Sequence, residues 1–358
     1  MMKVLIADTV SMDRAPYLQY YIDALKKSGV DYRVLVWNRS KDSALNRVGN
    51  IYTLNKTCPF GGSKLKKILP MLEYRKALLN LLDKEQFTHL ILINTLASIL
   101  IAPQVLKSFK LKYVMDIRDY TYERFSAYRF MVNKLVEYSF FTTISSAGFY
   151  KFIDKNPKIF INHNISMGYV ETDMPTLGKR IPVTIGFVGS VRYKPENMRL
   201  INALGDNQKY FLLYAGEYVA GCDLESEITD KNKNNIEFSG AFSQGEKPSI
   251  YKKVDLINSL YGNASLEVTT AVPNRFYDAL IFKKPILTSK GTYLAHLVTS
   301  NQLGISIDVY HDDILQKVEE YTQQFNAEEF CHRCKVLLKK INEEQTVYKM
   351  QIKKFLEQ

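Results

Sequence analysis

Cysteine is scarce: Cys58, Cys222, Cys331 and Cys334 are the four in 358 residues. That is too few for a disulfide framework in a chain this long, so a reducing cytoplasm is the expected setting. Cys331-His-Arg-Cys334 has CxxC spacing, but a structural zinc site needs a second ligand pair and none is evident, which leaves ordinary helix cysteines. Long uninterrupted apolar runs are missing too. The longest, Leu90–Leu106, is broken by Asn94, Thr95, Ser98 and Pro103, so it reads as a buried strand running into a helix and not as a membrane span. The opening MMKVLIADTV has no apolar stretch ahead of a small-residue cleavage site, so secretion is not expected. No short-period repeat or low-complexity tract is present. Acidic residues fall short of basic ones, 37 against 48. The resulting charge of +11 points to an anionic partner without choosing among nucleic acid, lipid head groups and phosphorylated small molecules.

What is there is an alternation of strand and helix patterns. Lys3–Ala7 (KVLIA) is a short apolar run, and Pro16–Ser28 then carries Leu18, Ile22 and Leu25 at helical spacing, with Gly29 just beyond. Tyr32–Trp37, His89–Ile93, Tyr113–Met115, Phe140–Ile144 and Lys158–Ile161 are further strand-like runs. The pattern restarts at Val183–Val188 and continues through a helix containing Arg199–Leu204. The strands Tyr210–Ala215, Ile236–Phe238 and Leu256–Leu260 follow, with Pro285–Thr288 as the last clear one. Helices between apolar strands imply parallel sheets covered on both faces. The segment Gly168–Pro182, punctuated by glycine and proline, reads as a linker. The expectation is therefore an α/β protein of two doubly wound, Rossmann-like domains facing each other across a cleft. Their bounds are 1–170 and 183–334, with a linker at 171–182 and a terminal helix at 335–358. Such domains bind ligands at the carboxyl ends of their strands.

Two stretches carry candidate chemistry. In IGFVGSVRYKPEN (Ile185–Asn197) an apolar run ends at Gly189, and Arg192 and Lys194 follow on the way into a helix. A glycine permits a sharp turn or close approach, and a helix start with two cations suits a diphosphate. The alternative is a solvated loop with two surface charges. In PNRFYDALIFKKPIL, Arg275 and Asp278 lie three apart and share a helix face. They could hold a phosphate and a ribose diol, or form an ion pair on a surface helix.

Together these segments resemble the GT-B glycosyltransferases, particularly the bacterial family-4-like enzymes of capsular and other surface polysaccharide assembly. GFVGSVRYKPEN is similar to the family's loop for the donor diphosphate, and PNRFYDALIFKKPIL to its donor-binding helix. LLYAGE (with Gly216), IEFSGAFS and YKKVDLINSLY look like its successive landmarks. The resemblance implies donor contacts at Gly189, Arg192, Lys194, Gly216, Arg275 and Asp278, with the loop Gly240-Ala241-Phe242-Ser243 beside the base. KYVMDIRDY looks like the strand end that carries a histidine in the family, and here that position is Arg118. Asp119 is then the candidate acid/base or acceptor-binding group, unless Asp116, Arg118 and Asp119 form a structural ion-pair cluster. Retaining members commonly carry two glutamates eight positions apart. Asp278 stands at the second place, Thr270 at the first, and Glu267 is out of register. The terminal helix is expected to return to the first domain, as in related folds.

The implied activity is sugar transfer from a nucleotide-sugar to a hydroxyl of a lipid-linked surface glycan. Neither cofactor nor metal is expected, because fixed cations stabilise the leaving diphosphate. Two segments suggest contact with an anionic membrane surface, with the protein at the inner face of the plasma membrane: the basic, leucine-rich Gly62–Lys76 and the aromatic Tyr120–Phe130. The competing expectation is helices packing their apolar faces inward with lysines solvated. A sugar-nucleotide epimerase on the same architecture, a non-catalytic transferase subunit and a basic nucleic-acid or sugar-binding module stay open as alternatives. The cations are scattered over several loops instead of forming one stripe, so no nucleic acid is expected. A dinucleotide dehydrogenase is disfavoured because Asp8–Arg14 contains no glycine for a pyrophosphate turn.

Overall fold

A computed structural model describes residues 2–58, 65–165, 172–219, 221–228 and 234–358. The chain forms two compact units, Met1–His163 with Glu343–Gln358, and Asn164–Asn342. The start of the segment read as a linker, 168–171, and residues 62–64 of the basic segment lie outside the described residues.

The first unit is built on β1 (Lys3–Ala7), β2 (Asp31–Asn38), β3 (Ser43–Val48), β4 (Ile51–Asn55), β5 (His89–Ile93), β6 (Tyr113–Ile117), β7 (Phe141–Ile144) and β8 (Ile159–Ile161). They form one sheet in the order β3-β4-β2-β1-β5-β6-β7-β8. All pairs are parallel except β3 with β4. β5, β6 and β7 are buried along their whole length, which is why they read as continuous apolar runs without alternation. Helix Tyr17–Lys27 buries Leu18, Tyr21, Ile22 and Leu25 against Val4, Ile6, Val34 and Val36. Tyr348, Ile352 and Phe355, from the end of helix Ala327–Leu356, complete that core.

The second unit holds β9 (Val183–Val188), β10 (Tyr210–Ala215), β11 (Ile236–Gly240), β12 (Leu256–Ser259), β13 (Ile286–Ser289) and β14 (Gly304–Ile307), all parallel, in the order β11-β10-β9-β12-β13-β14.

Both sheets share one topological feature. From β1 the chain moves outward to β2 and then returns to the other side of β1 to lay down β5. From β9 it moves out through β10 and β11 and returns to lay down β12 beside β9. At each reversal the loops on the two sides diverge and leave a crevice at the carboxyl ends of the central strands. The β1/β5 and β9/β12 edges are thus where polar side chains are informative.

Two elements were not visible in the sequence. The hairpin β3–β4 escaped because SALNRV is exposed at every position and so has no apolar face to show. The edge strand β14 is a four-residue GISI, too short for a pattern to register.

Candidate functional site

At the β9/β12 reversal the backbone turns at Gly189, with φ of +121°. Gly216, at the end of β10, has φ of +144°, and a Cβ on it would stand 2.0 Å from the Gly189 carbonyl oxygen. No other residue permits that approach, which draws the loops after β9 and β10 together. The link is carried by the Gly189 N–H donating to the Ala215 carbonyl at 2.8 Å and by Val191 N–H donating to Glu217.

Under Gly189 lies the guanidinium of Arg275, from helix Asn274–Ile281. Arg275 is 5% exposed. Its Nε donates to the Val188 carbonyl at 2.8 Å and its Nη1 to the Asn258 carbonyl at 3.2 Å, so it spans the ends of β9 and β12. Its carbon centre stands 3.4 Å from the Phe187 ring centroid and 5.0 Å from that of Tyr261. Nη2 is the atom nearest to where a Gly189 Cβ would be, 3.6 Å away. Among the described residues Arg275 makes no ion pair. Burial, with the nearby Arg192 charge adding to it, lowers its pKa. A buried cation held by carbonyls and aromatic faces is short of an anion, and supplying one recovers part of its desolvation cost.

The loop above it is fixed by amides. Asn258 donates through Nδ2 to Asn197 Oδ1 at 2.8 Å, and Asn197 donates in turn to the carbonyls of Arg192 and Tyr193. Tyr193 sits in the left-handed region (φ 63°), a strained place for an aromatic residue, with its ring stacked on Tyr261 at 4.4 Å. Arg192 is exposed. Lys194 opens helix Lys194–Leu204 and pairs with Glu227 at 2.6 Å.

Asp278, one turn beyond Arg275, points into the protein. It is 2% exposed and accepts from Lys247 Nζ at 2.8 Å and from Tyr251 OH at 2.9 Å. Burial raises its carboxyl pKa against the pull of Lys247 and Tyr251. Thr270 is fully buried and its hydroxyl donates to the Leu266 carbonyl.

The first unit has a second polar cluster at its own reversal. Asp116, at the end of β6, is completely buried and accepts from Tyr21, Thr143 and Arg118, each at 2.7 Å. Burial works against the Arg118 cation, but Asp116 beside it holds its pKa above the ordinary value. Asn94, which follows β5 with φ of 65°, accepts through Oδ1 from the N–H groups of Arg118 and Asp119 at 3.0 and 3.2 Å. That pins the loop so that Asp119 is exposed at the sheet edge. Asp8, just after β1, is fully buried, with Tyr17 OH donating to it at 2.9 Å. The Tyr17 ring in turn faces the Arg118 guanidinium at 4.7 Å. Burial, less the hydrogen bonds from Tyr17 and Val10 and with the charges of Asp116 and Asp119 added, pushes the Asp8 carboxyl up from 3.8 to about 7.

That shift has a sign that can be checked. The folded state holds the Asp8 proton more tightly than the unfolded chain, so its contribution to stability falls as pH rises from about 4 to above 7. Relative to Asp8→Asn, the wild type is expected to lose about 2–3 kcal/mol between pH 5 and pH 8. Urea denaturation of both proteins at the two pH values measures it, and an equal difference at both would contradict it.

No family model matches the sequence, and no curated protein does. Solved structures match along the whole chain. Sucrose-phosphate synthase from Thermosynechococcus elongatus superposes with a TM-score of 0.69 over 100% of both chains, at 11% identity. HepE of Anabaena in complex with UDP gives 0.64 over 98% of this chain and 99% of its own, at 12% identity. The apo lipopolysaccharide outer core galactosyltransferase WaaB gives 0.62 over 94% and 95%, at 14% identity.

The fold is GT-B.

At such identities the likeness carries the fold alone. Within the GT-B frame, the second unit brings Gly189, Gly216, Arg192, Lys194 and Arg275 to one end of its sheet. Gly240 closes β11 on the same edge, and Phe242 follows it, packed against the unit's core. Asp278 adjoins Arg275 but faces Lys247. Arg275 and Asp278 do not pair with each other on a surface helix, because both are buried and each has other partners. Asp119 and Arg118 stand on the edge of the first unit's sheet, Arg118 as the buried partner of Asp116. The sequence pattern did not single out Asp8, Asn94, Asn197, Asn258 or Lys247. A polar residue immediately after an apolar strand is a signal that would have flagged Asp8 and Asn94.

Proposed function

We propose that the protein transfers a sugar from a nucleoside diphosphate sugar to a hydroxyl of a lipid-linked surface glycan, at the cytoplasmic face of a bacterial membrane. The observation that carries the proposal is Arg275, a buried guanidinium with no carboxylate partner among the described residues, at the strand reversal of a GT-B fold, beneath a glycine turn followed by two more cations. The diphosphate is the ligand whose charge and size suit it. HepE binds UDP, which makes uridine diphosphate sugars the first donors to test. Capsular and exopolysaccharide assembly, in the manner of the family-4-like enzymes, is the setting we favour.

In this proposal Arg275 contacts the diphosphate from below through Nη2, while Arg192 and Lys194 close on it from the loop. Lys194 reaches it by leaving Glu227, an exposed pair that costs little to break. As the bond from the sugar carbon to the diphosphate oxygen lengthens, negative charge builds on the leaving group, and the fixed cations stabilise it. The acceptor oxygen forms the new bond to the same carbon and its proton passes to Asp119, held in place by Asn94. Phe242 and the Gly240 loop lie beside the base. Asp278 supports the site by holding Lys247 and Tyr251, and the acceptor sites its carboxylate has left suit a ribose hydroxyl. No metal is assigned a role.

The test is an assay of nucleoside diphosphate release and labelled product, with nucleotide-sugars, lipid-linked glycan extracts and EDTA. Release that depends on acceptor and is unchanged by EDTA is expected. Conversion of the donor sugar without acceptor would favour an epimerase, and activity lost in EDTA and restored by manganese would overturn metal independence.

A further inference from the structure

Glu196, in the first turn of helix Lys194–Leu204, is a carboxylate that the fold leaves short of donors. It is 9% exposed. Among the described residues its hydrogen bond comes from Tyr310 OH at 3.4 Å, long for a hydroxyl donor. No lysine, arginine or histidine among them forms an ion pair with it. Lys194, two residues earlier, pairs with Glu227, and the Arg199 guanidinium lies over the Tyr310 ring at 5.2 Å. The first turn of a helix suits a negative charge, but it does not supply the hydrogen bonds that a buried carboxylate needs.

The carboxylate is packed against the loop that follows β12. A Cβ on Gly262 would stand 2.4 Å from its Oε1, so the loop lies against Glu196 only because residue 262 has no side chain. The N–H groups of Tyr261 and Gly262 fix that loop by donating to Ser289 Oγ at 2.9 and 2.8 Å. The Tyr261 ring is stacked on Tyr193, and the Arg275 guanidinium stands 5.0 Å from its centroid. Arg275, Tyr261, Gly262 and Glu196 thus form a chain of neighbours at the carboxyl end of β12. It begins with a cation, passes an aromatic ring and a glycine, and ends at a carboxylate.

We infer that Glu196 accepts hydrogen bonds from hydroxyls of the donor sugar and selects donors whose sugar carries no negative charge. The inference rests on the nucleoside diphosphate reading of this site. With the diphosphate on Arg275, the sugar is the next group along the ligand, and Glu196 is the polar group with unfilled acceptor sites along the protein. An ionised carboxylate only accepts, and sugar hydroxyls donate. A uronic acid would bring a second carboxylate into the same poorly solvated corner, where like charges repel strongly.

Calorimetric titration of the full chain with UDP, UDP-glucose, UDP-galactose, UDP-N-acetylglucosamine and UDP-glucuronic acid tests it. GDP, GDP-mannose and GDP-mannuronic acid are the matching series for guanine. The wild type is expected to bind its best neutral sugar nucleotide about tenfold or more tighter than the uronic acid. Glu196→Gln keeps the size and removes the charge, so that preference is expected to fall to about threefold or less, with affinity for the plain nucleoside diphosphate unchanged. Glu196→Ala also removes the acceptor oxygens and is expected to weaken the neutral sugar nucleotide about tenfold, again with the plain diphosphate unchanged. Binding of the plain diphosphate therefore reports that each variant keeps a folded site. Three results overturn the inference: uronic acid bound by the wild type as tightly as the neutral sugars, an unchanged preference in Glu196→Gln, or variants that lose the plain diphosphate in parallel with its sugars. The last would leave Glu196 a purely structural role. A wild type that binds none of these nucleotides overturns the transferase reading itself, and the inference with it.

Discussion

Replacing Asp278 with alanine is expected to destabilise the second unit by about 3–5 kcal/mol, the cost of leaving one member of a buried ion pair alone. Lys247 is 5% exposed and Tyr251 fully buried, so neither can turn to water when the carboxylate is gone. Asp278→Asn keeps the size but lowers the charge attraction, and an intermediate loss is expected. A double replacement, Asp278→Leu with Lys247→Met, removes both charges and is expected to recover most of the stability, since well-packed apolar groups often match a buried pair. Urea denaturation measures all three. A destabilisation of Asp278→Ala below about 1 kcal/mol, the range of exposed pairs, would contradict the buried geometry. The double variant also separates two roles for this residue. If Asp278 acts through packing, nucleotide affinity survives in the stable double variant. If it holds the ribose, affinity falls although the fold is intact.

The expectation about Asp278 shows where sequence was informative. Spacing placed Arg275 and Asp278 on one helix, three residues apart, and that is where they are. What each side chain touches depends on residues far away in the chain: Lys247 for Asp278, and the carbonyls of Val188 and Asn258 for Arg275. Local pattern carries the helix and its register, and sheet order decides the partners. The same holds at Gly189. Its position after a buried strand was plain, but the need for glycine at Gly216 comes from the close approach of two loops that sequence does not bring together, where a Cβ would stand 2.0 Å from the Gly189 carbonyl oxygen.

The parallel strands were legible because burial on both faces makes them continuous apolar runs. β3 was not, since an edge strand paired on one side and solvated at every residue mixes apolar and polar residues without a buried face to order them. In the first unit, Asp116 and Arg118 lie within one short motif, and their ion pair was weighed as a structural cluster. Asp8 was not singled out, although its place directly after an apolar strand marks it. DTV does not show that the aspartate is buried, and burial is the main cause of its raised pKa, with the charges of Asp116 and Asp119 adding to it and the Tyr17 hydrogen bond opposing it. In helix Leu65–Glu85 the leucines of the basic segment, Leu65, Leu69 and Leu72, are exposed, and the face that packs inward, Pro70, Tyr74, Leu78 and Leu81, had not been read from the sequence.

The central claim is that a buried cation at the β9/β12 reversal grips a nucleoside diphosphate. Arg275→Met tests it, because methionine keeps an unbranched apolar stem against Phe187 while removing the charge and the donors at Nε, Nη1 and Nη2. Two charge-assisted hydrogen bonds to phosphate oxygens, at about 1.5 kcal/mol or more each, amount to about a hundredfold in affinity. The Val188 and Asn258 carbonyls lose their donors in the variant, so its melting temperature is followed alongside, and a folded baseline is required at the titration temperature. Calorimetric titration of UDP and GDP into the wild type and into Arg275→Met is the direct measurement. Binding of at least one of them by the wild type, weakened about a hundredfold or more in a variant that is still folded, is the result predicted. Equal affinity in the two proteins, or no binding of either nucleotide by the wild type, would contradict it.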